Sequence, residues 1–363
     1  MRKEFAVPQI SSGQAVSLLI LSRLFVLLIF VPQENQSVNG TPSLLGVIFG
    51  FVLTILLLIP AYLLLKKYPE MDLYQIARQQ SKMGGKLAAG AFFLVSIAIV
   101  VETAAQFTVF LTDAVYPEAD SVWVVLAFCG AAFYLAYLGL EALGRSCVLI
   151  LFLSLGVSFL MGLGLWKFFD SLNLITPFYD GAGPVILGSI SCAAQNVELM
   201  ALGLLVSNLN DKDAKKAFFR YHSIVTVVLF VIGFSAIVVM GHYGQTRNFP
   251  IYSMFVLSGS NVFYRLDYLL ITMWTAAALL RASLYLLLAR RMLNEISGRR
   301  LKNKALFLSL ALSAVFSLII SQRLEWLRIL YRCLSSGIPV LVMTVILPLL
   351  LLWNCRRKKG GTE

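Results

Sequence analysis

The chain is poor in charge, in histidine and in every signature of catalysis. Only 13% of its 363 residues are charged, about half the share carried by a soluble domain, so no polar shell can close around a globular core. Two histidines, His222 and His242, are too few for a histidine-built metal or hydrolytic centre. The five cysteines (Cys129, Cys147, Cys192, Cys333 and Cys355) fall in or beside apolar blocks without paired spacing, which excludes a disulfide framework and a zinc motif. No His-Glu-x-x-His, Gly-x-Ser-x-Gly or Walker pattern occurs. No catalytic residue, metal or cofactor is therefore assigned, and the chain is not read as an enzyme. No small-residue cleavage site follows the first apolar block, so that block reads as an uncleaved span rather than a signal peptide.

What is present is apolar sequence in long runs. The apolar share is 59% and the mean hydropathy +0.83. Ten blocks stand out, at 11–31, 43–65, 87–112, 121–140, 146–166, 184–206, 218–241, 266–289, 305–321 and 334–354. Crossing ~30 Å of hydrocarbon takes ~20 such residues. The net charge of +12 sits in the short segments between blocks and forms no stripe on a soluble module, which argues against nucleic acid as a partner. It reports orientation instead. With the N-terminus inside, 22 of the 30 basic residues fall on the inside and five outside. The positive-inside bias thus predicts ten transmembrane helices with both termini in the cytoplasm. Trp123, Trp166, Trp326 and Trp353 near span ends read as interface anchors, and Arg356–Lys359 as a topology signal.

Two loops echo each other. Tyr68-Pro69-Glu70-Met71-Asp72-Leu73-Tyr74 follows the second block and Phe249-Pro250-Ile251-Tyr252-Ser253-Met254-Phe255 the seventh. Both read aromatic-Pro-x-x-x-aliphatic-aromatic, five spans apart and therefore on opposite sides of the membrane. This is the pattern of an inverted 5+5 repeat, with residues 1–170 as the first five-helix unit and 171–363 as the second.

Ionised groups at the centre of a span cost at least ~2.5–3.5 kcal/mol each and mark functional sites by default. Four are deep here: Arg23 in span 1, Glu102 in span 3, Glu198 in span 6 and Arg281 in span 8. Polar neighbours accompany them at helical spacing. Ser22 adjoins Arg23; Glu102, Gln106 and Asp113 share a face of span 3; Gly188, Ser191, Gln195 and Glu198 share one of span 6; Asp267, Trp274, Arg281 and Tyr285 share one of span 8. Two readings stay open. Ser22, Arg23, Glu102, Gln106, Ser191, Gln195, Glu198 and Arg281 form a site for a small zwitterion, with Arg taking its carboxylate and Glu its ammonium. Otherwise Arg–Glu pairs lock the bundle. Gly183, Pro184 and Gly188 in span 6 are candidates for a helix break whose freed backbone would bind ligand, the alternative being close helix packing.

These features resemble the B-type subunits of endospore germinant receptors, ten-helix members of the amino acid–polyamine–organocation (APC) transporter superfamily. The resemblance is carried by Ile10-Ser11-Ser12-Gly13-Gln14 before span 1, Val31-Pro32 at its exit, Tyr68-Pro69 with Leu73, Glu198, the loop from Asp211 to Lys216, and Arg265-Leu266-Asp267 with Trp274. Two positions depart from the family: Ser22-Arg23-Leu24 stands where span 1 often has a glycine, and Tyr264 where a glutamate precedes Arg265. The first puts an unwound span 1 in question. The resemblance implies a LeuT/APC-like all-α membrane fold in the cell membrane or spore inner membrane, partnership with A-type and C-type receptor subunits, and sensing of a small nutrient, often an amino acid. A proton-coupled amino acid transporter, with Glu102 or Glu198 as proton carrier, is the nearest competing function. A scaffold with a vestigial pocket is a further one.

Overall fold

The computed structural model describes residues 9–27, 40–176, 178–179, 181–211, 213–245, 247, 249–258, 266–298, 300–301 and 304–360. Val31-Pro32, Tyr264 and Arg265 lie outside the described residues, as does the side chain of His242. Among the described residues the chain is helical, with one isolated parallel bridge between Ile10 and Leu209.

The spans are α1 (Ser12–Leu27), α2 (Thr41–Lys67), α4 (Lys82–Phe110), α5 (Ser121–Leu138), α6 (Leu140–Leu165), α7 and α8 (Gly183–Ala194 and Glu198–Leu205), α9 (Ala214–Gln245), α11 (Leu266–Ile296), α12 (Lys304–Ser321) and a last, broken span built from α13 (Leu324–Ser335), α14 (Ile338–Val340) and α15 (Leu347–Gly360). A π-helical turn, Leu111–Val115, continues α4, and another, Leu341–Ile346, joins α14 to α15. Nine of these units are long and apolar enough to cross a bilayer, and α1 is a shorter apolar helix among the described residues. In the most apolar stretch of the spans containing α4, α7–α8 and α11, 61% of residues are buried, against 11–28% in the other six. The first group is therefore the inside of the bundle and the second its lipid-facing wall. α1 joins the inside: Leu18, Leu19, Ser22 and Phe25 are fully buried.

Two short helices, α3 (Leu73–Gln80) and α10 (Pro250–Ser258), follow spans 2 and 7. They occupy the two echoing loops: α3 starts four residues after Pro69, and α10 starts at Pro250 itself, where proline fits the first turn of a helix. Asp72 opens α3 with a capping box, accepting from the Gln75 amide while the Gln75 side chain accepts from its own.

The last span corrects the expected block at 334–354. Leu327, Tyr331 and Leu334 bury one face of α13 at i, i+4, i+7, while Arg323, Glu325, Arg328 and Arg332 break up its hydropathy. Helix runs ten residues earlier than the apolar run does. Gly337, at φ +80°, then turns the chain in a left-handed conformation that glycine adopts without penalty.

α2 closes on α7 through glycines. A Cβ on Gly46 would lie 2.9 Å from the Gly188 carbonyl carbon, and one on Gly50 2.9 Å from the Cys192 Cβ. Such small-residue contacts supply the close packing that replaces hydrophobic driving force in lipid. Gly46→Leu is expected to lower the thermal midpoint of the detergent-solubilised protein by the equivalent of about 1–3 kcal/mol. Gly90→Ala, on the same bundle with nothing within 4 Å, is expected to leave that midpoint unchanged or raise it.

Candidate functional site

α1, α4, α8 and α11 bring the four deep charges to one point. Arg281 on α11 is 2% exposed and spends its guanidinium on three helices. Nη1 donates to Glu198 Oε1 (2.8 Å) and to the Ser22 carbonyl (2.8 Å), Nη2 to Glu102 Oε2 (3.2 Å) and Nε to Thr103 Oγ1 (3.0 Å). Ser22 Oγ also donates to Glu198 Oε1 (3.1 Å). Of the Arg–Glu pairs that would lock the bundle, both formed here belong to Arg281, whose planar fork of donors reaches Glu102 and Glu198 at once.

Arg23 is left over. It is 3% exposed and its Nη1 donates to the carbonyl of Gln195. Among the described residues no carboxylate lies within ion-pair distance of it, and its Nε has no hydrogen-bond partner. The Gln195 carbonyl is available because span 6 breaks there. α7 ends at Ala194, Gln195 and Asn196 leave the helix, and α8 starts at Glu198. The break is therefore not at Gly183, Pro184 or Gly188: Gly183 and Pro184 form the first turn of α7, where proline fits, and Gly188 packs against Gly46. Adjacent Gln195 and Asn196 are side chains that compete with backbone hydrogen bonding. Gln195 Nε2 donates to Ser191 Oγ (3.0 Å), and Asn196 Oδ1 accepts from Tyr221 (2.7 Å). Glu198 sits in the first turn of α8, where the helix dipole favours a carboxylate, and its Oε2 has no partner. Gln106 is 1% exposed with both amide atoms unpartnered.

The break in the last span meets the break in span 6. A Cβ on Gly337 would lie 3.0 Å from that of Ala194. Tyr331, Leu334 and Ser335 of α13 reach the charged centre beside Arg23, Glu102 and Gln195, leaving a void of about 10 Å³, enough for roughly one water. α13 is the element the sequence did not reveal at this site. Its Leu327-Tyr331-Leu334 spacing was the available signal.

Both routes to the centre are shut. On one side Trp274 stacks on Phe25 (4.7 Å) and Phe107 (5.3 Å), meets Phe110 edge-on (4.7 Å), and donates Nε1–H to the Phe25 carbonyl (3.2 Å). On the other, Asp72, fully buried, pairs with Arg291 and accepts from Ser207 Oγ (2.8 Å), while Arg291 Nη1 donates to the Leu204 carbonyl (3.0 Å). Beside it Tyr74 donates to Glu295 Oε2 (2.9 Å), which also pairs with Arg78 (2.5 Å). Burial, with the Glu295 carboxylate adding to it, pushes the Tyr74 phenol up to about 12, so it remains a donor at neutral pH. Asp113 and His242 are not part of the centre: Asp113 lies in the π-turn beyond α4 and is exposed, and the side chain of His242 is not described.

This geometry is that of a crossing point of buried charges closed on both sides, with room for little more than a water. A family model described as "Spore germination protein" matches residues 9–325. The chain belongs to the spore germination protein family. Among solved structures it is similar to a Na+-coupled sialic acid symporter in a substrate-bound, outward-open state, with a TM-score of 0.63, 13% identity, and coverage of 93% of this chain and 81% of that one. Identity at that level speaks for the fold alone, which is that of the LeuT/APC-type transporters. Nothing among the curated proteins matches. Family and fold make this spore germination protein an integral membrane, permease-like chain and point away from an enzyme. No cluster of three or more His, Cys, Asp or Glu is placed to hold a metal among the described residues.

Breaking a buried ion pair from one side costs ~3–5 kcal/mol. Arg281→Met is therefore expected to lower thermal stability by about that much, since it strands two buried carboxylates. Adding Glu102→Gln and Glu198→Gln to it is expected to recover most of the loss, measured as thermal midpoints in one detergent.

Proposed function

We propose that this spore germination protein is the germinant-sensing membrane subunit of a receptor, and that it binds a small nutrient, an amino acid, at the break in span 6. The observation that carries the reading is Arg23, a buried guanidinium beside a helix break with no carboxylate of a described residue in ion-pair range. An isolated buried charge is costly unless something pairs with it. A ligand carboxylate would supply the pair, and Glu198 Oε2, also open, would take the ligand ammonium. Arg281 is the lock and Arg23 the receptor. Ser22, Gln106, Ser191 and Gln195 would line the cavity, and Glu102 would hold Arg281 in place.

The void next to Arg23 is too small for an amino acid, so binding requires α13 to withdraw. A ligand that fits only the opened arrangement shifts the population toward it. That shift would be the signal passed to A-type and C-type partner subunits in the spore inner membrane. We take both termini as cytoplasmic from the basic-residue bias, and the two five-helix units as inverted repeats. A short helix in each of the two echoing loops, α3 and α10, supports the repeats.

Proton-coupled amino acid transport is the second reading, favoured by the unpartnered oxygen of Glu198, which is free to take a proton. Uptake of labelled amino acids into proteoliposomes under a proton gradient separates the two. Sensing gives saturable binding without accumulation above the equilibrium level, and transport gives accumulation that Glu198→Gln stops.

In a melting-shift screen of the purified protein against the common amino acids, at least one is expected to raise the midpoint. Arg23→Gln is expected to abolish that shift while leaving the unliganded midpoint equal to or above wild type, because it removes a buried charge that has no ion pair with a described residue. A shift of undiminished size in Arg23→Gln places the ligand elsewhere.

A further inference from the structure

A second cavity, larger and far from the charged centre, lies between α2 and α9 at the end of the bundle where the basic residues gather. It encloses about 460 Å³. Its walls are apolar: Ile55, Leu58, Ile59 and Leu65 on α2 and Phe218 on α9. Ile55 to Lys66 spans about 16 Å along α2 at ~1.5 Å per residue, so the groove runs lengthwise along the helices. His222 closes its inner end, stacked on Phe51 (4.7 Å) and bonded through Nε2 to the Phe51 carbonyl (3.1 Å), with Nδ1 lacking a partner.

Its mouth is chemically different. Lys66 and Lys215 line it, both exposed. Neither forms an ion pair with a described residue, and Lys215 Nζ sits 5.7 Å over the Tyr62 ring. The one carboxylate at the mouth, Asp213, is occupied as the cap of α9, accepting from the Lys216 amide (3.0 Å). The groove is thus a long apolar slot with two unpaired cations at its opening. The outer face of α6 carrying Leu149, Phe152 and Phe159 differs in that its cation, Arg145, is paired with Glu141 (3.9 Å).

We propose that this groove is a specific binding site for one anionic phospholipid, with an acyl chain along α2 and α9 and the headgroup phosphate between Lys66 and Lys215. Charge complementarity selects the occupant. An uncharged apolar slot accepts any acyl chain, whereas each lysine near a membrane surface adds about 1 kcal/mol for an anionic lipid. Because the slot separates spans 2 and 7, and α2 also packs on α7, an occupant stiffens the contact between the lipid-facing wall and the broken span 6.

The test uses the full chain in mild detergent, with native mass spectrometry to count retained lipid and thermal midpoints to read its effect. The probes are phosphatidylglycerol, phosphatidylcholine with the same acyl chains, and sn-glycerol 1-phosphate. One phosphatidylglycerol is expected to bind saturably about 25-fold more tightly than phosphatidylcholine, the equivalent of two lysines, and glycerol phosphate is expected to have no effect. K66Q/K215Q is expected to remove the headgroup preference, K82Q/K86Q at the same end of the bundle to leave it intact, and I59W to weaken binding of both lipids by filling the slot. Equal affinity for the two lipids, a preference that survives K66Q/K215Q, stabilisation by glycerol phosphate alone, or indifference of both lipids to I59W each overturns the proposal.

Discussion

The guanidinium of Arg281 is the joint on which the bundle depends. It is buried, fixed in charge, and bonded to α1, α4 and α8 while belonging to α11. A charge in hydrocarbon is tolerated only when paired and fully hydrogen-bonded, so the helices that supply its acceptors cannot separate without stranding it. This fixes which helices are inside. It also binds both deep carboxylates directly, and no described carboxylate is left within ion-pair distance of Arg23.

The rest of the centre is built from backbone. Two helices are interrupted at one level, span 6 at Gln195–Val197 and the last span at Ser336–Gly337, and the interruptions face each other. Carbonyls freed by such a break must find donors, and Arg23 answers the one on Gln195. The aromatic stack around Trp274 and the Asp72–Arg291 pair close the two approaches. The molecule is thus occluded, its two deep arginines matched in number by two deep carboxylates that both bond to Arg281.

The sequence shows the membrane class, the ten apolar runs and the four deep charges plainly, because hydrocarbon penalises polar groups so heavily that each exception stands out. It also shows the two echoing loops, through Tyr68-Pro69 and Phe249-Pro250, though not the short helix that each holds. It hides what depends on partners far along the chain. Asp72 can be read as a helix cap from Gln75, but not as the partner of Arg291, which is set by packing. Glycine and proline are the usual helix breakers and point to Gly183, Pro184 and Gly188; here the first two start a helix, the third packs one, and two amides make the break. α13 is hidden in the sequence because its arginines interrupt an apolar run while leaving a helical stripe intact.

The account stands on the claim that Arg23 receives the carboxylate of the ligand. The most direct measurement compares binding of the amino acids with binding of their carboxamides, for the wild type and for Arg23→Gln. The account predicts that the wild type prefers the carboxylate by at least about tenfold, the equivalent of 1.4 kcal/mol, and that Arg23→Gln binds the two forms alike. A preference of the same size in both proteins contradicts it.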